Sequence, residues 1–367
     1  MSLAYDVIPV TLVTGFLGSG KSTLLADILT GEAARDTAVL VNEFGAVGLD
    51  HLLMGEVDTQ TILLDNGCVC CSIRGELKDA LATLFSRRAR GEVPAFSRVV
   101  LETTGLATPA PIIATLLADP VIRSHYVLNA ILTVVDAMNA GAQRARHPEW
   151  LAQVTAADRI LISKVDLALA EDVEQLRSTL ASINPAAEIA QREVMQPEVM
   201  QPEVMQHDLV QQDGRTDNTL AALLFKPASS QGLISRIGAQ SVEFGVNSRR
   251  LMHRNDGERE RIESCCIRID EPLDWQVFTL WFTMLLNRHG DKILRVKGLL
   301  SIAGSERPAV LHAVQHLVHP VLHLDTWPDA IRATQLVFIT EGLAGEQIEA
   351  SYRRFCSALA EPESATA

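Results

Sequence analysis

A glycine-rich loop near the N-terminus constrains the fold of this chain more than any other feature. Residues 15–23 read Gly-Phe-Leu-Gly-Ser-Gly-Lys-Ser-Thr and match the pattern G-x-x-x-x-G-K-[ST]. A β-branched run at residues 7–14 precedes the loop and predicts a buried strand, and an apolar segment at residues 23–29 follows it and predicts a helix. A strand, a glycine loop and a helix in this order predict a phosphate-binding site, because backbone N–H groups and the helix N-terminus attract anions.

Individual roles follow from the chemistry of this loop. We expect Lys21 to reach the β- and γ-phosphates of a nucleotide, and we expect the hydroxyl of Ser22 to bind Mg²⁺. The other predicted nucleotide contacts of the loop are Gly15, Gly18, Ser19, Gly20 and Thr23. The alternative interpretation is a glycine turn without a ligand, which the flanking strand and helix disfavour.

Length, charge and cysteine content limit the class of protein. A chain of 367 residues predicts two domains. Its net charge of -13 argues against nucleic acid or an anionic membrane surface as a partner. We find neither a membrane-spanning apolar run nor a secretory signal. Three of the six cysteines cluster at residues 68–71, which predicts metal-binding thiols in a reducing cytoplasm rather than a disulfide framework.

The hydrophobic pattern predicts an α/β fold for the first part of the chain. Apolar runs alternate with amphipathic stretches up to about residue 190, which favours a mostly parallel sheet with helices on both faces. Two of the predicted helices span residues 74–90 and 171–182. The predicted strands are residues 7–14, 38–42, 61–64, 98–102, 130–136, 159–163 and 187–190. Ligands of such sheets bind at the carboxyl ends of the strands, where the motifs described below lie.

The domain prediction divides the chain into five parts. Residues 1–190 form the phosphate-binding domain, residues 191–217 a flexible acidic linker and residues 218–260 a connecting segment. The linker carries a repeated Glu-Val-Met-Gln-Pro unit, whose prolines prevent a regular helix. A Met-rich site for a soft metal is the less favoured interpretation of that repeat. Residues 261–360 form a smaller α+β domain of four strands and two helices, and residues 361–367 a disordered tail.

A second motif predicts recognition of a guanine base. Ser163-Lys-Val-Asp166 ends a predicted strand and is a variant of N-K-x-D. Asp166 would accept hydrogen bonds from N1–H and the 2-amino group of guanine, which adenine lacks, while the stem of Lys164 packs along the base. The alternative is a strand-to-helix turn in which Asp166 caps a helix.

Two further strand ends carry carboxylates. Glu102 ends an apolar strand and is followed by Gly105, whose backbone can approach a γ-phosphate. Glu102 either supports the Mg²⁺ shell or orients the attacking water. Glu43 follows the second strand and opens a segment, up to Asp50, that we interpret as a switch responding to the γ-phosphate. The predicted catalytic residues are Lys21, Glu43 and Glu102.

The cysteine cluster predicts a site for a transition metal. Cys68, Cys70 and Cys71 follow a strand and precede a helix, a position that favours the thiolate form. Zn²⁺ takes such ligands, and its usual four-coordination leaves one position for a ligand from elsewhere. Buried cysteines acting as small apolar groups are the alternative.

Other candidate ligands lie in the second domain. Residues 309–319 are rich in histidine and have a strand-like alternation, which predicts one strand with His312 and His316 on one face and His319 on the other. We favour solvent-facing histidines over a second metal site, and we interpret Cys265 and Cys266 as a core and a surface residue of one strand. The full histidine set is His312, His316, His319 and His323.

Together these residues resemble the CobW family of metal-handling GTPases. In the first domain the resemblance is carried by GFLGSGKST (15–23), NEFG (42–45), GCVCC (67–71), ETTG (102–105) and SKVD (163–166). In the second domain it is carried by RVKG (295–298), WP (327–328) and LVFI (336–339). The resemblance as a whole spans about residues 7–342. The chain departs from the family at Ser163, where the motif has Asn, at Ala46, where several relatives have an acidic residue, and in lacking a long histidine tract.

The resemblance implies GTP hydrolysis, with Mg²⁺, coupled to holding and releasing a metal ion. The implied metal is most often Zn²⁺, or Co²⁺ in the branch that serves cobalamin synthesis, and Cys68, Cys70 and Cys71 would be the metal-motif cysteines. The implied partner is a client metalloprotein docked on the C-terminal domain, and a homodimer is compatible with the family. The rival hypotheses are a metal-responsive regulator or buffer in which GTP is only structural, and a small-molecule kinase, which the SKVD motif disfavours.

Overall fold

The computed structural model describes residues 7–29, 36–41, 60–63, 73–192, 221–226, 249–250, 262–328 and 332–360. Four predictions lie outside the described residues: the switch from Glu43 to Asp50, the cysteine motif at residues 67–71, the Met-containing repeats and the C-terminal tail. The chain divides into two compact units, residues 1–177 with 188–228 and residues 178–187 with 229–367. No described helix combines the length and the apolar character needed to cross a membrane.

The first unit is built on a parallel sheet of seven described strands. They are β1 (Ile8–Thr14), β2 (Thr37–Val41), β3 (Gln60–Leu63), β4 (Arg98–Glu102), β5 (Tyr126–Asp136), β6 (Arg159–Ser163) and β7 (Glu188–Gln191). Their order is β3-β2-β4-β1-β5-β6-β7, and every neighbouring pair is parallel. The carboxyl ends of all these strands therefore lie along one edge of the sheet.

Helices cover both faces of this sheet. They are α1 (Lys21–Leu29), α2 (Ile73–Ala89), α3 (Pro109–Ala118), α4 (Pro120–His125), α5 (Ala140–Arg146), α6 (Pro148–Ala156) and α7 (Ala170–Ile183). Leu24 and Leu25 of α1 pack with Leu132 of β5. The next residue of β5, Thr133, points to the opposite face and donates a hydrogen bond to α6. The predicted fold class is confirmed.

A short helical segment, residues 221–226, also belongs to the core of the first unit. Leu223 and Leu224 are buried in the same cluster as α1. The Thr11 hydroxyl of β1 donates to the Leu224 carbonyl at 2.8 Å, which anchors the segment on the sheet. The chain therefore returns to the first unit after the residues predicted to form the linker.

The strand predictions agree with the structure to within one residue at most ends, and β5 is the exception. It begins at Tyr126 rather than at residue 130, and its first residues pair with β1. Val127 in this extension is exposed, so the extension lacks the continuous apolar pattern on which the prediction depended.

The second unit is an antiparallel sheet packed against two described helices, α8 (Trp275–His289) and α9 (Gly345–Ala360). Four long strands are β9 (Ile262–Ile269), β10 (Ile293–Leu300), β11 (Ala309–Val314) and β14 (Thr334–Glu341), and three short ones are β8 (Arg249–Arg250), β12 (Leu317–Val318) and β13 (Leu322–His323). The order is β12-β11-β10-β14-β9-β8, with β13 beside β11. The core lies between the helices and one sheet face, and Phe278, Leu300 and Phe338 are buried there.

The prediction of one continuous strand at residues 309–319 is wrong. Gln315 has a left-handed backbone conformation (φ 52°), and it turns the chain so that β12 folds back antiparallel on β11. The backbone N–H of His319 donates to the His312 carbonyl at 2.9 Å, and the two imidazole rings lie 5.8 Å apart. The predicted placement of His312 and His319 on opposite faces is therefore wrong, because the strand ends between them.

Candidate nucleotide-binding site

The loop between β1 and α1 has the backbone conformation that its glycines predict. Gly15, Gly18 and Gly20 have φ angles of 143°, 70° and 91°, values that L-residues with side chains avoid. A Cβ at Gly15 would lie 2.3 Å from the carbonyl oxygen of Val134 on β5. Position 15 therefore requires glycine for two reasons: the φ angle is positive, and the neighbouring strand leaves no room for a Cβ.

Lys21 is the first residue of α1 and folds back over the loop. Its side chain is buried, and its Nζ donates to the carbonyl oxygens of Gly15 at 2.8 Å and Phe16 at 3.2 Å. The ammonium group is thereby held inside the concave loop, at the N-terminus of α1, where a phosphate would meet it. The position agrees with the role predicted for Lys21.

Ser22 and Glu102 are brought together by neighbouring strands. The β1–β4 register pairs Val13 with Glu102, so the end of β4 lies next to the start of the loop. The Ser22 hydroxyl donates to Oε1 of the buried Glu102 at 2.8 Å. A hydroxyl and a carboxylate are hard oxygen ligands, so this pair fits Mg²⁺, either directly or through water.

The segment after β4 packs directly on the phosphate loop. A Cβ at Gly105 would lie 2.4 Å from the backbone nitrogen of Leu17, which is too close for any residue but glycine. Thr103 adds a hydrogen bond from its hydroxyl to that of Thr14 at 2.9 Å. The predicted γ-phosphate glycine therefore lies against the loop that holds Lys21.

Ser163 joins the predicted guanine loop to the phosphate loop. Its buried hydroxyl donates to the Ser19 carbonyl at 2.7 Å and lies 3.3 Å from the Val135 carbonyl. The serine that replaces the usual asparagine of the motif thus makes a direct bond between the two loops.

Lys164 is held by a carboxylate that sequence reasoning missed. Lys164 has φ 57°, and its Nζ donates to Oδ2 of Asp136 at 2.8 Å. Asp136 ends β5, is buried, and also accepts from the Asn139 side chain and the Met138 backbone N–H, both at 2.8 Å. Burial by itself would raise the pKa of Asp136, but these hydrogen bonds outweigh it and the pKa lies below its usual value. The sequence signal that could have revealed Asp136 is a carboxylate at the end of an apolar strand, the same signal that pointed to Glu102.

We expect Asp136→Asn to weaken GDP binding by about threefold to tenfold, because Lys164 loses its ionic partner and Asp166 is presented less accurately. The loss should be smaller for inosine diphosphate, which lacks the 2-amino group that Asp166 recognises. Since the pKa of Asp136 is lowered, its interaction is present above the usual carboxyl pKa and lost only as the pH falls through the lowered value. Titration of Asp136 should therefore cause no change of GDP affinity with pH between about pH 5 and pH 8. Equal losses for both nucleotides would contradict this role.

The remaining predicted site residues are either exposed or outside the described residues. Asp166 and Thr23 are exposed at this edge of the sheet. Glu43 and the metal-motif cysteines Cys68, Cys70 and Cys71 lie outside the described residues. No group of three or more potential metal ligands occurs in the part of the chain that the structure describes.

The two adjacent cysteines of β9 lie on opposite faces of their strand. Cys265 lies in the core of the second unit, as predicted, and Cys266 is half-buried on the opposite face rather than at the surface. Burial raises the pKa of Cys265 to about 12 and that of Cys266 to about 11. Burial therefore disfavours the thiolate form of both side chains, which is the form that binds metal.

The fold and this edge of the sheet define a P-loop nucleotide-binding protein. The family profile described as "CobW/HypB/UreG, nucleotide-binding domain" matches residues 9–191, and the profile "Cobalamin synthesis protein cobW C-terminal domain" matches residues 262–356.

Individual relatives agree with these profiles. The chain is 34% identical to the zinc chaperone YjiA of Escherichia coli, over 94% of this chain and 98% of the relative. It is 33% identical to the zinc chaperone CobW of Pseudomonas aeruginosa, over 49% of this chain and 55% of the relative. A crystal structure of Zn(II)-bound YjiA GTPase from E. coli has 28% identity and a TM-score of 0.62, and the match covers 95% of this chain and 99% of that one. The chain belongs to the CobW family, as its motifs predicted.

Proposed function

We propose that this protein is a GTP-hydrolysing metallochaperone. It binds Zn²⁺ at the loop of Cys68, Cys70 and Cys71 in the GTP state and releases the metal to a client protein after hydrolysis. The observation that carries the nucleotide half of the proposal is the Ser163–Ser19 hydrogen bond, because it joins a guanine-type recognition loop to the phosphate loop. The metal half is supported by the relatives, two of which are named zinc chaperones.

The enzyme class of the prediction, a P-loop GTPase, is confirmed at the level of the family. The similar crystal structure is that of a GTPase, and a relative from Schizosaccharomyces pombe, 34% identical over 51% of this chain and 46% of its own length, is named a zinc-regulated GTPase metalloprotein activator. Zinc and GTP are accordingly the ligands we assign to this chain.

Each residue of the site has a proposed role in GTP hydrolysis. Lys21 neutralises charge on the β- and γ-phosphates, and the loop N–H groups bind their oxygens. Ser22 and Glu102 would hold Mg²⁺, which shields phosphate charge when bound. Either Glu102 or Glu43 orients the water that attacks the γ-phosphorus. Asp166 selects guanine, and Lys164 packs along the base.

The sheet topology supports coupling between nucleotide and metal. β2 and β3 are parallel neighbours, and Val41 pairs with Leu63 at their carboxyl ends. Both strands end at the edge of the sheet that carries the phosphate loop, and Glu43 and the three cysteines come after β2 and β3 in the sequence. The proposed switch and the proposed metal motif thus follow two neighbouring strands in the sequence, which supports coupling between them.

We expect Zn²⁺ to bind about tenfold more tightly with Mg·GTPγS than with Mg·GDP, a coupling of about 1.4 kcal/mol. Competition with a chromogenic chelator at one pH measures both affinities. Cys70→Ala should abolish the difference, whereas Cys356→Ala, which removes a free thiol on α9, should leave it unchanged.

Other outcomes separate the rival functions. Equal Zn²⁺ affinities in both nucleotide states would favour the regulator or buffer in which GTP is only structural. Tighter, nucleotide-dependent binding of Co²⁺ than of Zn²⁺ would favour cobalt insertion. The client on the C-terminal domain, the homodimer and the cytoplasmic location stay predictions.

A further inference from the structure

Gln153 on α6 makes an unusual contact with the segment after β4. Its side chain is fully buried, and its Nε2 donates to the carbonyl oxygens of Gly105 and Ala107, both at 3.0 Å. The orientation of the carboxamide follows from the chemistry, because exchanging nitrogen and oxygen would place Oε1 against two carbonyl oxygens. The two N–H groups of the Gln153 amide thus both bind the same short backbone segment, residues 105–107.

The segment that Gln153 holds is a tight turn beside the phosphate loop. The Ala107 backbone N–H donates to the Thr104 carbonyl at 3.1 Å, which closes the turn. On its other side, Gly105 lies against the backbone of Leu17, where a Cβ would be 2.4 Å from the nitrogen. The turn is therefore held between the phosphate loop and α6, and Gln153 supplies the polar bonds on the α6 side.

α6 is a firm support for this contact. Trp150 and Val154 of the helix are buried, and the Thr133 hydroxyl of β5 donates to the backbone carbonyl of Gln153 at 2.8 Å. The burial of Trp150 and Val154 fixes the helix, and with it the carboxamide, relative to the sheet that carries the phosphate loop.

We propose that Gln153 is a positioning residue for the γ-phosphate: it fixes the Gly105 turn so that the site favours a nucleoside triphosphate over a diphosphate. The α- and β-phosphates are bound by the phosphate loop and Lys21, to which the carboxamide makes no hydrogen bond, so diphosphate binding does not depend on it. A segment beside the phosphate loop is where P-loop GTPases respond to the γ-phosphate. This inference rests on the proposed GTPase function.

The chemistry of the side chain makes this role specific to glutamine. Methionine fills a similar volume but donates no hydrogen bond, so it would leave the buried Gly105 carbonyl and the partly buried Ala107 carbonyl without this partner. Glutamate has nearly the same shape, but its ionised carboxylate would repel both carbonyl oxygens. Only when protonated does it carry an O–H group that donates to one of them.

The test compares GTPγS and GDP affinities in the full chain by titration calorimetry. We expect Gln153→Met to weaken GTPγS binding by about tenfold and GDP binding by less than about twofold. For Gln153→Glu, GTPγS affinity should recover as the pH falls through the pKa of the new carboxyl, whereas Gln153→Met should show no such recovery. This pH-dependent recovery is a readout that a purely space-filling role would not produce, and it remains available if Gln153→Met fails to fold.

Thr133→Val is the matched control. It removes a buried hydrogen bond to the same residue of α6 but leaves the carboxamide contacts in place, so the ratio of GTPγS to GDP affinity should stay as in the parent protein. Equal weakening of both nucleotides in Gln153→Met, or a Gln153→Glu variant without pH-dependent recovery, would overturn the inference. A parent protein that binds neither nucleotide would instead overturn the proposed function.

Discussion

We expect Lys21→Met to lower the rate of GTP hydrolysis by about 10²–10³-fold. The variant lacks the preorganised positive charge that stabilises the negative charge developing on the phosphates in the transition state. Methionine preserves the apolar stem, so the loss reports the ammonium group that the Gly15 and Phe16 carbonyls hold in the loop. GTP affinity should fall as well, since the same charge contacts the bound phosphates. Single-turnover phosphate release under saturating GTP separates the two effects.

The control for this variant is another lysine of the first unit. Lys78 on α2 pairs with Asp119 at 2.9 Å on the protein surface. Lys78→Met changes the net charge by the same amount and should leave hydrolysis within about twofold, because a surface ion pair contributes little. Hydrolysis in Lys21→Met at the parental rate would show that the chemistry takes place elsewhere.

Asp166→Asn should weaken GTP binding by about 100-fold or more, since two charge-assisted hydrogen bonds to guanine are lost or inverted. The asparagine amide presents a donor where guanine also has donors. Xanthine has a carbonyl oxygen in place of the 2-amino group, so the variant should gain affinity for xanthosine triphosphate. Competition of both nucleotides against a fluorescent GDP analogue measures this exchange of specificity.

Asp172→Asn is the control for base recognition. Asp172 is exposed in the first turn of α7, on the helix that follows the guanine loop, and its replacement removes one negative charge. Nucleotide preference should be unchanged in this variant. If Asp166→Asn lost GTP and ATP affinity equally, Asp166 would cap the turn rather than recognise the base.

The agreement between sequence and structure is best where a function depends on contiguous residues. The strand, glycine loop and helix at residues 8–29 agree with the prediction, because they form one contiguous unit whose periodicity is local. The same holds for β6 and the turn after it, which contain Ser163, Lys164 and Asp166, while their role in base recognition stays a prediction. The error at residues 309–319 shows the limit of this reasoning. Alternating apolar residues predict a strand but do not reveal a left-handed residue such as Gln315 that interrupts it.

The contacts that tie these local units together come from distant parts of the chain. Ser163 bonds the phosphate loop 144 residues away, Lys164 pairs with Asp136 across 28 residues, and Gln153 holds the Gly105 turn across 48. Asp136 and Gln153 belong to no motif, since a buried glutamine or a strand-end aspartate has the same local pattern in many roles.

The sequence by itself determined the family of this protein and the positions of the phosphate loop and of the predicted base-recognition loop, because each depends on residue types at short, regular spacings. Only the tertiary structure decided which side chains hold those loops in position. That choice depends on strand order and register: parallel pairing of β4, β1, β5 and β6 brings Glu102, Ser22, Asp136 and Ser163 to one edge. Register is set by packing over the whole sheet, and no single stretch of sequence contains it.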